Sequence, residues 1–262
     1  MNEMLIALIV VAAIGLIAGI LLTLASHFLR VEEDGRVAAL RACLPGVNCG
    51  ACGYTGCDDY AKALAEGGVK TNLCIPGADD TAAEIAALLG VSAEDVVEQI
   101  AVVHCNGTCD ATFKKDIYDG VASCRAASML YGGPDACPSR CLGCGDCAEN
   151  CPVNAICMKD GIARIDRRIC IGCGLCVKTC PKGIISLMPD VAKTAVLCSN
   201  KEKGALARKI CKNACIGCKK CEKSCPENAI TVVDHLAVID DQKCTGCGIC
   251  VENCPTKCLK AI

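Results

Sequence analysis

The sequence predicts an α+β protein: a single N-terminal transmembrane helix, a small helical metal-binding domain, and two tandem modules that each hold two metal clusters. Three observations predict it. The first is an uncharged apolar run near the N-terminus, the second a Cys- and Gly-rich segment behind it, and the third a cysteine phrase that occurs four times. Cys141, Cys144, Cys147 and Cys151 stand as C-x2-C-x2-C-x3-C before Pro152. The phrase returns at Cys170, Cys173, Cys176 and Cys180, at Cys215, Cys218, Cys221 and Cys225, and at Cys244, Cys247, Cys250 and Cys254, each time followed by proline. Three thiolates on one tight loop bind three corners of a [4Fe–4S] cubane, and the fourth cysteine serves a neighbouring cluster.

The N-terminal element comes first in order. From Met4 to Leu29 there is no Asp, Glu, Lys or Arg, a run of 26 residues. At about 1.5 Å per residue this gives roughly 39 Å of helix, enough to cross a bilayer with some tilt. A cleaved signal peptide fits badly, because Met1-Asn2-Glu3 carries an acid and no basic residue. Arg30, Arg36 and Arg41 follow the span and no basic residue precedes it. The positive-inside rule therefore puts the C-terminal side in the cytoplasm, whereas Glu32, Glu33 and Asp34 count little. The expected location is the cytoplasmic membrane, single-pass, with the soluble domains on the cytoplasmic side, where reduced thiols also persist. Gly15 and Gly19 form a G-x3-G pair that either seats a partner helix or is a chance pair of small residues. The span carries no charge to bind an ion.

Residues 1–30 are read as the anchor and 31–90 as the helical domain. Asn48 to Cys57, followed by Cys74-Ile75-Pro76-Gly77, places Cys49, Cys52, Cys57 and Cys74 at C-x2-C-x4-C-x16-C spacing. Glycines beside the thiols let backbone amides approach a cluster closely. A further [4Fe–4S] site is the reading, with zinc as its rival. Asp58 to Glu66 reads as a short helix closed by Gly67-Gly68, and residues 78–100 look helical, with Ser92 able to cap Ala93 onward.

Residues 91–136 form a connecting segment. Ile100 to Val103 reads as a buried strand leading into Cys105-Asn106-Gly107-Thr108-Cys109, with Cys124 and Cys137 beyond. Cys105, Cys109, Cys124 and Cys137 are candidate ligands of an extra cluster; the alternative is that they pack as small apolar residues.

Residues 137–187 and 211–262 read as two bacterial-type two-cluster ferredoxin modules joined by a connector, 188–210. Ala155–Ile165, with Asp160-Gly161 at its turn, and Ile230–Ile239 give one hairpin per module. Cross-ligation assigns Cys141, Cys144, Cys147 and Cys180 to one cluster and Cys170, Cys173, Cys176 and Cys151 to its neighbour. The second module repeats this with Cys215, Cys218, Cys221 and Cys254, then Cys244, Cys247, Cys250 and Cys225. Five clusters are expected, six with the extra set. Cys43, Cys157, Cys198, Cys211 and Cys258 have no role in this scheme, although Cys211 precedes Cys215 just as Cys137 precedes Cys141. Lys201, Lys203, Arg208 and Lys209 make a basic run, either a solvated face or a landing site for an acidic redox partner.

Composition excludes the main rivals. The chain has 29 cysteines among 262 residues, but disulfide scaffolds are usually short and seldom repeat one phrase. Zinc sites use separated cysteine pairs, often with histidine, and only His27, His104 and His235 exist. With no Trp, two Phe and four Tyr, an ordinary aromatic core is missing, so clusters are expected to occupy the centre and their loss to unfold the soluble part. No dinucleotide fingerprint, Walker loop or Ser-His-Asp set is present, so there is no catalytic residue to name, no flavin or NAD site, and no expected nucleic-acid partner. The chain is expected to pass electrons while a partner completes the chemistry.

The N-terminal span, the N-C-G-x-C-G-x3-C…C-x-P-G domain from Asn48 to Gly77, the C-N-G-x-C segment from Cys105 to Cys109 and the ferredoxin repeats together resemble the family of the iron–sulfur B subunit of the Rnf complex. That complex is a membrane-bound ferredoxin–NAD oxidoreductase that pumps sodium ions or protons. The resemblance covers nearly the whole chain, and two modules are similar to the longer form found in anaerobic bacteria. It implies that the chain takes electrons from soluble reduced ferredoxin and passes them to flavin-bearing and NAD-binding membrane subunits. The cluster nearest the anchor would be the exit and the C-terminal modules the entry. One departure stands out: the family often lacks a cysteine at the position of Cys144, with the counterpart of Cys137 as the replacement, and here both exist. A membrane-anchored polyferredoxin of a hydrogenase or formate-linked enzyme is the competing function, and a passive metal-held scaffold is a third.

Overall fold

The computed structural model describes residues 2–28 and 34–262. Arg30, Glu32 and Glu33, which entered the orientation argument, lie outside the described residues. Helix α1 (Asn2–Phe28) is long and apolar enough to cross a membrane, and between Leu5 and Ser26 none of it is buried against the rest of the chain. Its apolar surface faces outward along that length. The Thr23 hydroxyl bonds back to Gly19 O (3.0 Å) and Ile20 O (2.9 Å), so this polar group is satisfied within the helix.

Three helices build the next domain: α2 (Gly35–Cys43), α3 (Cys57–Glu66) and α4 (Ala78–Leu89). The Asp34 side chain caps α2 by accepting from Arg36 N (2.9 Å). Leu40, Leu44, Tyr60, Leu64 and Ile85 form the buried core, and the Tyr60 hydroxyl donates to Lys70 O (2.7 Å). Helix α3 runs as expected and closes at Gly67. The expected helix through residue 100 does not continue: Gly90 adopts the left-handed conformation that ends α4, and Ser92 starts no helix. Local side chains hold the following segment instead. Asp79 Oδ1 accepts from Val96 N (2.7 Å) and Asn72 Nδ2 donates to Asp95 O (3.0 Å), laying the chain back across the domain.

The two modules share one plan. In the first, β1 (Gln99–Val103), β2 (Ile156–Lys159), β3 (Ile162–Ile165) and β4 (Ile185–Pro189) form two antiparallel pairs, β2–β3 and β1–β4. In the second, β5 (Thr194–Val196), β6 (Ile230–Val233), β7 (Leu236–Ile239) and β8 (Leu259–Ala261) pair as β6–β7 and β5–β8. Each module thus borrows the strand before it, so β1 and β5 are structural members of the modules and not linkers. Asp160 and Gly161 have positive φ at the first hairpin turn, as do Asp234 and His235 at the second.

Strand β1 is buried on both faces, which explains its unbroken apolar run. Ala101 and Val103 pack into the first module with Ile162, Ile184 and Ile185. Ile100 and Val102 point the other way, onto Ala195 and Leu197 of the second. His104 adds a polar tie, reaching Val196 O (2.7 Å) and Ser186 Oγ (2.6 Å).

In each cysteine phrase a glycine precedes the second cysteine, at Gly143, Gly172, Gly217 and Gly246, and all four have positive φ. At Gly172 an added Cβ would also collide with the carbonyl of Gln99, so the cluster loop lies directly against β1. Gly172→Ala is therefore expected to destabilise the loaded protein by more than the ~1–2 kcal/mol that left-handed geometry alone costs. Gly183→Ala, with positive φ but open space around it, should cost only that amount. Anaerobic urea midpoints followed by cluster absorbance make the comparison; equal losses would mean that the close approach is not tight.

Candidate metal centres

The thiols converge in groups at buried positions between loops and short helices. In the N-terminal domain Cys49, Cys52 and Cys57 surround Cys74, which is buried at the start of the Ile75–Gly77 turn. Burial pushes the Cys74 thiol up to about 11, and the three neighbouring thiols add to the shift. Asn48 Oδ1 accepts from Cys57 N (2.9 Å), which fixes the loop onto the first turn of α3.

In the first module one cavity is lined by Cys151, Cys170, Cys173 and Cys176, the set that cross-ligation expects. Amides aim at these sulfurs: Ala155 N donates to Cys151 Sγ (3.3 Å) and Ala101 N to Cys170 Sγ (3.4 Å). Such bonds favour the thiolate, the form that binds metal, and tune a cluster's potential.

The neighbouring cavity differs from expectation at one corner. Cys141, Cys147 and Cys180 line it together with Cys124, while Cys144 sits beside Cys124 at its edge. Cys124 begins a short helix, Cys124–Met129, whose N-terminus is clamped by Asp146. Asp146 Oδ1 accepts from Cys124 N (2.7 Å), and its Oδ2 from Ser123 Oγ (2.9 Å) and Arg125 N (3.1 Å). These bonds hold the Asp146 carboxyl below its usual range despite the opposing desolvation. Asp146 lies between Cys144 and Cys147, so the phrase itself positions Cys124.

The second module keeps Cys215, Cys218, Cys221 and Cys254 within electrostatic reach of one another, and Cys250 near Cys244 and Cys247. Ala229 N donates to Cys225 Sγ (3.3 Å), repeating the bond at Cys151. Cys258 joins the first of these groups, with its Sγ 3.6 Å from that of Cys254. Hydrogen bonding from Cys258 holds the Cys254 and Cys215 thiols below the ordinary thiol range. Cys218 and Cys247 are exposed, whereas their counterparts in the first module are half-buried Cys144 and buried Cys173.

The expected set of Cys105, Cys109, Cys124 and Cys137 is divided. Cys109 is exposed and lies against Gly161 and Arg140 at the hairpin turn, and Cys124 faces the Cys141 cavity. Cys105 and Cys137 line a different cavity with Cys198 and Cys211, two residues that had no assigned role. Cys137 thus lines that cavity and not the one of Cys141, Cys147 and Cys180. Cys43 bonds within α2 to Ala39 O (3.5 Å), and Cys157 is exposed on β2.

Among the described residues no three His, Cys, Asp or Glu side chains stand close enough to hold one metal ion. Four thiols lining one cavity, as at Cys151, Cys170, Cys173 and Cys176, fit a cubane, which spreads its ligands over four corners. The donor set, all sulfur with amides directed at it, suits the same group.

Known families agree with this chemistry. Residues 44–76 match a family described as "Putative Fe-S cluster", residues 140–184 and 214–258 match a 4Fe-4S dicluster domain, and residues 169–230 match a second model of that description. The chain is 43% identical over 242 residues to the B subunit of the proton-translocating ferredoxin:NAD(+) oxidoreductase complex of Clostridium ljungdahlii, covering 92% of this chain and 85% of that one. It is 40% identical over 244 residues to the Na(+)-translocating counterpart of Acetobacterium woodii, covering 93% and 73%. The chain belongs to the B-subunit family of these complexes. A third member, the B subunit of the ion-translocating oxidoreductase complex of Methanosarcina acetivorans, is 37% identical and covered over 89% of both chains. As a member of this family, the chain is an iron–sulfur protein with [4Fe–4S] domains and an N-terminal helix fit for membrane association.

Cys124 and Cys144 stand side by side where a fourth ligand would join Cys141, Cys147 and Cys180. Cys124→Ser and Cys144→Ser are each expected to keep a four-iron site, with a shifted EPR signal in the first. The double variant leaves three thiolates and should lose iron at that corner. Loss of the cluster in Cys144→Ser alone would remove Cys124 from the site.

Proposed function

We propose that the chain is the electron relay of an ion-translocating ferredoxin:NAD+ oxidoreductase complex in the cytoplasmic membrane, with its soluble domains in the cytoplasm. Electrons enter from reduced soluble ferredoxin at the C-terminal modules and leave at the N-terminal cluster toward flavin-bearing and NAD-binding subunits. The clusters are those of Cys49, Cys52, Cys57 and Cys74; of Cys141, Cys147 and Cys180 with Cys124 or Cys144; of Cys151, Cys170, Cys173 and Cys176; of Cys215, Cys218, Cys221 and Cys254; and of Cys225, Cys244, Cys247 and Cys250. Each supplies one-electron storage when bound.

The succession of thiol groups along the chain carries this reading. Cys173 of the first module lies within reach of Cys49, and Lys178 Nζ donates to Cys49 O (2.6 Å), tying that module to the anchored domain. Cys147 lies near Cys176, linking the two clusters inside the module. Entry at the far end is supported by the exposed thiols Cys218 and Cys247 and by the basic run Lys201, Lys203, Arg208 and Lys209, exposed along its length. A basic face speeds encounter with an acidic partner more than it adds affinity. The protein's residues position thiolates and exclude water; no proton or bond is moved on this chain. The first two relatives named above belong to complexes named for different translocated ions. The uncharged span offers no site to choose between ions, which leaves that choice to partner subunits. A polyferredoxin serving a hydrogenase is less well supported, because the family likeness includes the N-terminal domain.

The test uses the whole complex with a Cys49→Ser/Cys57→Ser chain. Reduced ferredoxin should still reduce the C-terminal clusters, seen by EPR, while NADH formation falls by more than the ~10–100-fold that loss of an outer-shell partner costs. Undiminished NADH formation would overturn the N-terminal exit. Failure of ferredoxin to reduce the C-terminal clusters in the unmodified complex would overturn the entry.

A further inference from the structure

Between the two modules lies a cavity lined by Cys105, Cys137, Cys198 and Cys211. All four thiols are buried. The modules contribute to it by the same rule. Cys105 follows the end of β1 by two residues, and Cys198 follows the end of β5 by two. Cys137 stands four residues before Cys141, and Cys211 four before Cys215. The hydrogen bonds repeat as well: Cys141 N donates to Cys105 Sγ (3.4 Å) and Cys215 N to Cys198 Sγ (3.3 Å). Packing of stray cysteines has no reason to obey that rule, and Cys43 and Cys157 do not.

Two further features suit an anionic sulfur-rich occupant. Asn200 is 1% exposed and lines the cavity, yet its Nδ2 donor has no partner. A cluster sulfide or a thiolate is the acceptor it lacks. Arg140, 5% exposed, also lines the cavity; its guanidinium donates to Gly107 O (2.7 Å) and Asp135 Oδ1 (2.7 Å). A buried cation beside four thiolates offsets part of their charge.

We infer that Cys105, Cys137, Cys198 and Cys211 bind a sixth [4Fe–4S] cluster that joins the two modules electrically. The inference rests on the electron-relay reading above. One electron arrives from the reduced cluster of Cys215, Cys218, Cys221 and Cys254, and one leaves to the cluster of Cys141, Cys147 and Cys180. The bridging cluster returns to its oxidised state, with no proton or bond exchanged. The bonds at Cys215 N and Cys141 N mark the two contacts, since each runs from a ligand of one cluster to a ligand sulfur of the bridge.

The full chain, assembled anaerobically, tests this by iron and sulfide analysis with EPR. The unmodified chain should hold about 24 irons, six cubanes of four. Cys105→Ser/Cys198→Ser should lose about four irons and four sulfides, while Cys109→Ser should lose none. Reduction of the second module should then no longer spread to the first. Native mass spectrometry of the unmodified chain serves if the double variant does not fold: six clusters support the bridge and five overturn it. Unchanged iron in the double variant also overturns it. Absence of clusters throughout, with zinc in their place, would instead sink the electron-relay reading itself.

Discussion

Ionised thiols are costly inside a protein, and this chain buries many of them side by side. Burial pushes Cys137 and Cys147 up to about 12 and Cys176, Cys198 and Cys221 to about 11. Neighbouring thiols raise them further. Metal binding reverses this penalty by replacing protons with iron, so cluster assembly and folding are one thermodynamic event. The rest of the structure depends on that bond. Its strands are three to five residues long, its sheets are two-stranded, and its described core has Tyr60 as the one fully buried aromatic. Two-stranded hairpins are marginal in water without such an anchor.

The same constraint explains how the modules join. The phrases gather thiols locally, but each module takes in the strand before it to complete its second antiparallel pair. Strands β1 and β5 are those strands and present their other faces to each other, through Ile100, Val102, Ala195 and Leu197. The inter-module core and the Cys105 cavity therefore arise from one arrangement: the residues that follow the borrowed strands carry Cys105 and Cys198 into the space between the modules.

What could be read from sequence follows from how local each signal is. The phrases, the hairpins at Ala155–Ile165 and Ile230–Ile239, and the Cys49 to Cys74 spacing are encoded over short spans. The helix expected through residue 100 stops at Gly90, because Asp79 and Asn72 hold the following backbone in another path. Nothing local marks Cys124 as a neighbour of Cys141, since its position depends on the Asp146 clamp across 22 residues. The pairing of Cys105 and Cys137 with Cys198 and Cys211 spans two modules. Its one trace in the sequence is the equal spacing of Cys137 and Cys211 before their phrases.

Function follows from this arrangement with little chemistry left to the protein. In the proposed relay, thiolates, amides and excluded water set where electrons can rest, with the exposed thiols of the second module and the N-terminal domain as its two ends. The account's central claim is that cysteine-bound iron, in this order, forms both the core and the conduit. Anaerobic diffraction at the iron edge tests it most directly. The account predicts anomalous peaks in sequence from the Cys49 group, through Cys173, Cys147, Cys105 and Cys221, to the Cys250 group. Peaks at the zinc edge instead, or an N-terminal cluster adjoining the second module rather than the first, would contradict it.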